Sequence, residues 1–199
     1  MGVTHLALLA ANYLRGAEGK KTAVLEWNNH GDFGRLGRMC TGQLRDISCY
    51  RIQDVDYYPK ADGSRLVECL KAGYQEILID FGSIEEQVYI ELTRCGVVWI
   101  VMSFSEWQME AFKEIAESKE EAKSVSWQFL TVFGSEESRR EWNKRQNPKI
   151  LRIPFSADAF TVTRELMEWM ETTFMQSSFS GNVSRKNLLK RKKKRSIQR

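Results

Sequence analysis

Residues 76–102, EILIDFGSIEEQVYIELTRCGVVWIVM, hold two short, apolar, β-prone runs, Glu76–Phe81 and Val97–Met102, on either side of a helical pattern from Ile84 to Arg94. Two strands joined through a helix lie parallel in a sheet, because the crossover needs the helix to return the chain. The alternation continues downstream. Strand candidates Trp127–Phe133 and Ile150–Ile153 follow helical patterns Glu106–Ser118 and Ser135–Gln146, and a last helical pattern runs from Ala157 to Met175. This order predicts an α/β fold, a mostly parallel sheet with helices on both faces in three layers. In such sheets the ligand crevice lies at the C-terminal ends of the strands, so the residues just after each strand are the candidates for chemistry.

Upstream, Leu6, Leu9, Ala10 and Tyr13 recur at helical spacing, which predicts a helix from His5 to Leu14 ending at Gly16. Thr22–Trp27 reads as a buried strand. Helix then strand is half a βαβ unit, and its first strand is expected to be missing. Asn28–Gly42, with four glycines, reads as a loop with a short helix; Ile47–Tyr58 as an irregular strand or hairpin; Gly63–Leu70 as a helix with Ser64 as its N-cap and Gly73 beyond its end.

The chain has 199 residues, 42% apolar and 28% charged, the composition of one globular domain, placed here at residues 1–176. It has no apolar run long enough to span a bilayer and no leader pattern, so the expected location is cytoplasmic, with peripheral membrane attachment through the tail as an extension. Nine of the thirty Lys and Arg lie between Arg185 and Arg199, which leaves 21 basic against 26 acidic residues in the body. A basic tail, expected to be disordered over 177–199, thus hangs from an acidic domain. The four cysteines, Cys40, Cys49, Cys69 and Cys95, have neither zinc spacing nor histidine partners and read as free, largely buried thiols.

The opening GVTHLALLAANYL, residues 2–14, sets a glycine and a hydroxyl residue directly before a helix. Phosphate loops deliver anions to a helix N-terminus in this way, with backbone N–H groups and the helix dipole facing the phosphate and a Thr hydroxyl available to Mg²⁺. The lysine that usually precedes that hydroxyl is replaced by Val3. A plain Gly-Thr helix start with no ligand is the competing reading.

Taken together, GVTHLALLAANYL, KKTAVLEWNNHGDFGRL, ILIDFGS, CGVVWIVMSFSEWQMEAF and KILRIPFSADAF resemble the MinD/ParA family of P-loop ATPases with a deviant phosphate loop, over roughly Met1 to Met175. The likeness in detail is to degenerate members from clostridial-type bacteria with a THLA-type helix start, and more distantly to TadZ-type pilus localisation proteins. The resemblance implies ATP and Mg²⁺ as the cofactors to test and Gly2, Val3, Thr4 and His5 as the end of the phosphate loop, with the family's signature lysine falling upstream of Met1. It places Thr4 and Asp80 at the metal, Asp80 holding it through water, and Gly82 as the switch glycine. Glu26 stands at the first acid after the second strand, and Asn28 where the family has the acid that orients attacking water. Pro154 and Phe155 correspond to the loop bordering the base.

The residues themselves leave alternatives open. Asp80 equally suits capping of the next helix or accepting loop N–H groups. Glu26 suits a strand end facing solvent or a lysine, and His30 an exposed loop. The tryptophans read as core. The run Lys190, Arg191, Lys192, Lys193, Lys194 and Arg195 suits anionic lipid or nucleic acid through charge, without sequence readout, or simply a solvated tail.

Three functions follow. The preferred one is a non-hydrolytic MinD/ParA-like scaffold, localisation or regulatory factor with a protein partner or homodimer and residual nucleotide binding, since Val3 and Asn28 each remove transition-state stabilisation. The second is an ATP-binding or weakly active ATPase whose start omits the first strand and most of the phosphate loop. The third is a DNA or membrane binder working through the tail.

Overall fold

The computed structural model describes residues 2–42, 47–83, 88–105, 109–118, 126–145 and 148–174. The basic run 190–195, with the rest of the tail, lies outside the described residues, as do Trp107 and the ends of several expected helices. The chain divides into two compact units, Met1–Glu86 with Phe155–Met167, and Gln87–Pro154 with Glu168–Arg199.

The first unit opens with helix α1, Val3–Gly16, whose residues 8–14 are all buried. Strand β1, Thr22–Glu26, is the middle of a sheet ordered β2-β3-β1-β4, where β2 is Tyr50–Ile52, β3 is Val55–Tyr58 and β4 is Glu76–Asp80. β1 runs parallel to β3 and to β4, with Glu26 opposite Asp80, while β2 and β3 form an antiparallel hairpin. The hairpin turns through Gln53 and Asp54, both at positive φ, as two-residue turns that match strand twist require.

All five residues of β1 are buried because both sheet faces are covered. Side chains alternate: Val24 packs with Leu8 and Ala11 of α1 and with Phe33, Val55 and Tyr57. Ala23 and Leu25 face the other way, onto Ala61, Cys69, Leu66 and Tyr74. Phe33 belongs to helix α2, Asp32–Thr41, and Leu66 and Cys69 to helix α3, Gly63–Lys71. Helices α1 and α2 therefore cover one face and α3 the other. The cap of α3 is Asp62, whose side chain accepts the Arg65 N–H, and not the expected Ser64; the Ser64 hydroxyl instead donates to the Asp62 carboxylate.

The second unit carries a parallel sheet ordered β5-β6-β7, with β5 Val97–Phe104, β6 Ser126–Gly134 and β7 Ile150–Arg152. Helices α4 (Tyr89–Leu92), α5 (Met109–Ser118) and α6 (Glu136–Arg145) alternate with these strands. Phe112 of α5 meets Phe129 edge-on at 5.3 Å and Trp142 of α6 at 4.8 Å. On the opposite face Trp99 packs on Trp169 and Phe174, in the later part of helix α7, residues 164–174. Where the β5–β6 register shifts, Gly134 at φ +116° passes so close to the Phe104 carbonyl that no side chain fits.

The helix expected from Ala157 begins only at 164. Asp158 takes the Phe160 N–H and the Thr161 hydroxyl on its carboxylate, and this local bonding holds the preceding segment as a turn. Of the five described tryptophans, Trp127 and Trp142 are buried and Trp27, Trp99 and Trp169 half-buried. The cysteines are less buried than expected: Cys40 and Cys49 are exposed, Cys95 is half-buried and Cys69 is buried.

Candidate functional site

Parallel pairing sets the ends of β1 and β4 level, so the loops after them share one edge with the start of α1. Thr4, in the first turn of α1, donates its hydroxyl to Asp80 Oδ2 at 2.7 Å. The other carboxylate oxygen accepts the Gly82 N–H at 2.8 Å. Asp80 is only 1% exposed, so both of its oxygens are satisfied inside the protein. This joins the metal-site reading and the loop-acceptor reading, because the carboxylate that accepts the Gly82 N–H also lies against the Thr4 hydroxyl.

Asn28 crosses to the same loop. Its Nδ2 donates to the Asp80 carbonyl at 2.9 Å, and its Oδ1 accepts the His30 N–H at 2.9 Å, an Asx turn. The Trp27 N–H reaches the same Asp80 carbonyl. Gly82 sits at φ +71°, where a Cβ would lie 2.9 Å from His30 Cε1 and 3.1 Å from Asn28 Cβ. His30 is exposed, as its sequence suggests, yet its ring forms the wall against Gly82. The only signal for that in the sequence is the Asx-turn residue two positions before it.

Helix α1 presents its free first-turn N–H groups beside this carboxylate. Gly2, its N-cap, is extended and gives no side-chain cap, and there is no acid in the first turn. Val3 is half-buried and brings no charge. His5 engages the Ser156 backbone, while its Nε2 is buried without a hydrogen-bond partner, and burial lowers its pKa. Phe155, next to Ser156, is 71% exposed. Pro154 falls in the second unit.

Glu26 departs from expectation. It is 1% exposed rather than facing solvent, and its Oε1 accepts the Phe33 N–H at 3.0 Å. Gly31 caps α2 without a side chain, and the Glu26 carboxylate supplies the missing acceptor from the end of β1. Its Oε2 is buried with no hydrogen-bond partner. Thr4, Asp80, Gly82 and Asn28 are thus brought together, and the Glu26 side chain is directed to α2 instead. Among the described residues no group of three or more His, Cys, Asp or Glu is arranged around a metal, and no helix is long and apolar enough to cross a membrane.

A plasmid partition protein from Borrelia burgdorferi, solved after an iodide soak, matches this chain with a TM-score of 0.61 at 13% identity, over 88% of this chain and 94% of that one. The fold is shared with plasmid partition proteins. A second structure of a Borrelia burgdorferi plasmid partition protein matches with a TM-score of 0.59 at 13% identity, over 87% and 92% of the two chains. A third, a Borrelia burgdorferi B31 chain assigned to plasmid partition and bound to AMPPNP, gives 0.59 at 12% identity over 83% and 87%. At these identities the likeness is one of fold, ParA/MinD-like in its mostly parallel sheets flanked by helices. No protein-family model matches the chain, and no curated protein matches it in sequence.

Proposed function

We propose that this protein uses a ParA/MinD-like fold as a non-hydrolytic scaffold or localisation factor, with residual binding of an adenine nucleotide at the start of α1. The observation that carries the reading is the double engagement of Asn28. Its amide is spent on the Asp80 carbonyl and the His30 N–H. A neutral amide already bonded at both its nitrogen and its oxygen is a poor replacement for an acid that orients attacking water, and that role is central to phosphoryl transfer. Val3 in place of a phosphate-neutralising lysine acts in the same direction.

Residual nucleotide binding is supported by the Thr4–Asp80 pair beside free helix N–H groups, and by AMPPNP in one solved chain of this fold. A Thr hydroxyl next to a carboxylate suits a hydrated Mg²⁺, which would supply charge neutralisation to the phosphates. Because both Asp80 oxygens already accept hydrogen bonds, contact through water fits better than direct ligation. Gly2 to His5 would offer N–H groups to the phosphate, and the exposed Phe155 a face for the base. A protein partner or a second copy, and anionic surfaces met by Lys190–Arg195, complete the proposal, with residues 1–176 as the folded body and 177–199 as the tail.

The test is isothermal titration with ATP and Mg²⁺, run beside a steady-state phosphate-release assay. Weak, saturable binding with release at background is expected. Turnover clearly above background overturns the scaffold reading.

A further inference from the structure

A phosphate at the start of α1 needs a counter-charge that the first turn does not supply. Val3 brings none, and Asp80 adds a buried carboxylate beside the turn. Lys20 and Lys21 precede β1, at the opposite end of the strands, and are held by Glu18 and Glu76 and by the Ala72 carbonyl. Arg35 pairs with Asp32, and Arg51 with Asp56. Burial favours the neutral ring of His5. The second imidazole is placed differently. His30 is exposed, and its N–H on Asn28 Oδ1 fixes the backbone from which the side chain leaves. Its Cε1 is the ring atom against Gly82, 2.9 Å from where a Cβ would stand. Cε1 is bonded to both ring nitrogens, so an N–H flanks Gly82 in either tautomer. Gly82 donates its own N–H to Asp80 Oδ1, and the other oxygen of that carboxylate takes the Thr4 hydroxyl. One carboxylate therefore separates the exposed imidazole from the first turn of α1.

We propose that His30 is a phosphate-binding residue, an imidazole donor to the terminal phosphate of a nucleoside triphosphate whose inner phosphates lie on the N–H groups of α1. This contact rests on the nucleotide reading of α1 given above. The order of contacts sets which phosphate the ring meets. Phe155 opens the segment that Asn12 ties to the body of α1 through the Ala159 carbonyl, whereas Gly82 is reached through Thr4 and Asp80. A nucleotide with its base at Phe155 thus brings its last phosphate to Gly82 and His30. A protonated ring strengthens the contact, because a hydrogen bond between ionised partners is about twice as strong as a neutral one.

Isothermal titration of the full chain with ATP, ADP and inorganic tripolyphosphate, each with Mg²⁺, tests this at about pH 6.5, in the range where imidazoles exchange charge. His30→Ala is expected to weaken ATP and tripolyphosphate about tenfold and ADP by less than about threefold, because ADP ends one phosphate short of the ring. His30→Lys restores a cation and is expected to bind ATP within about threefold of the parent. Equal losses for ATP and ADP in His30→Ala would give the ring a structural role and overturn the contact, and so would an unchanged ATP affinity. Lys60, in the loop after β3, is the control: a loss in Lys60→Ala without one in His30→Ala moves the phosphate charge there and also overturns the assignment. A parent chain that binds none of the three ligands overturns the nucleotide reading and this contact with it, a result distinct from binding that ignores His30.

Discussion

Thr4 Oγ1 donates to Asp80 Oδ2 at 2.7 Å across 76 residues of sequence, so the first turn of α1 and the end of β4 share one carboxylate. Asp80 is 1% exposed, and water cannot replace a donor lost there. Thr4→Ala is therefore expected to destabilise the protein by about 1–3 kcal/mol, the penalty for an unmet buried acceptor. Thr4→Ser keeps the hydroxyl and should stay close to the parent. Urea unfolding measures both, and an unchanged midpoint for Thr4→Ala would show that the contact is incidental.

Gly82 gives a sharper case. At φ +71° a side chain is strained, and a Cβ would meet His30 Cε1 at 2.9 Å. Gly82→Ala should lower stability by about 1–3 kcal/mol. The double variant Gly82→Ala/His30→Ala should recover the part of the clash that His30 makes and leave the Asn28 contact and the backbone part. Full recovery by His30→Ala would show that the positive φ carries no strain.

Glu26 is expected to act on α2 rather than on chemistry. Glu26→Ala removes the acceptor for the Phe33 N–H, a loss of about 1–2 kcal/mol by capping alone. Glu26→Gln keeps an acceptor and removes a buried charge, so it should fall between Ala and the parent. Amide exchange of the first turn of α2 reports the effect directly, and fast exchange confined to other elements would refute it.

The alternation of strands and helices after residue 76 is legible in the sequence because parallel strands buried on both faces show as short apolar runs, such as ILI in β4. Helix α2 is legible only as a short helix within a loop: DFGRLGRMCT carries two glycines, and what fixes its extent is distant in sequence. Glu26 caps it, Phe33 fills the core, and Gly37 lets it approach Tyr50, where a Cβ would lie 2.7 Å from the ring. The α7 start was obscured in the opposite sense, since Asp158 diverts a helical pattern into a turn. At the site, a hydroxyl residue at a helix start points to Thr4 and residue types after strands to Asp80 and Asn28, but the wall that His30 makes depends on an Asx turn that no periodicity reports.

His5 provides a pH dependence. Burial lowers its pKa from the ordinary 6.5, so the neutral ring is the form the fold prefers. A depressed pKa contributes stability that is present above 6.5 and is lost as pH falls through the lower folded value. Unfolding midpoints should decline as pH falls from 6.5 towards the lower folded value and level off beneath it, and His5→Asn should flatten the decline. A slope unaltered by the variant would assign it to other groups.

Restoring the acid of the resembled family at position 28 tests the proposed function against its simplest rescue. Asn28 Nδ2 donates to the Asp80 carbonyl at 2.9 Å. In Asn28→Asp that contact becomes oxygen against oxygen, so the variant should lose about 1–3 kcal/mol of stability and gain no turnover. Val3→Lys adds charge beside the helix N-terminus without disturbing that bond, and about a tenfold tighter ATP with Mg²⁺, near 1.4 kcal/mol, is expected by titration. The double variant should still release phosphate at background, because the Asp80–Gly82 loop is disrupted by the change intended to activate it. Turnover in the double variant would mean that Asn28 is a substitution at an intact catalytic position, and that the loop accommodates the acid the family carries.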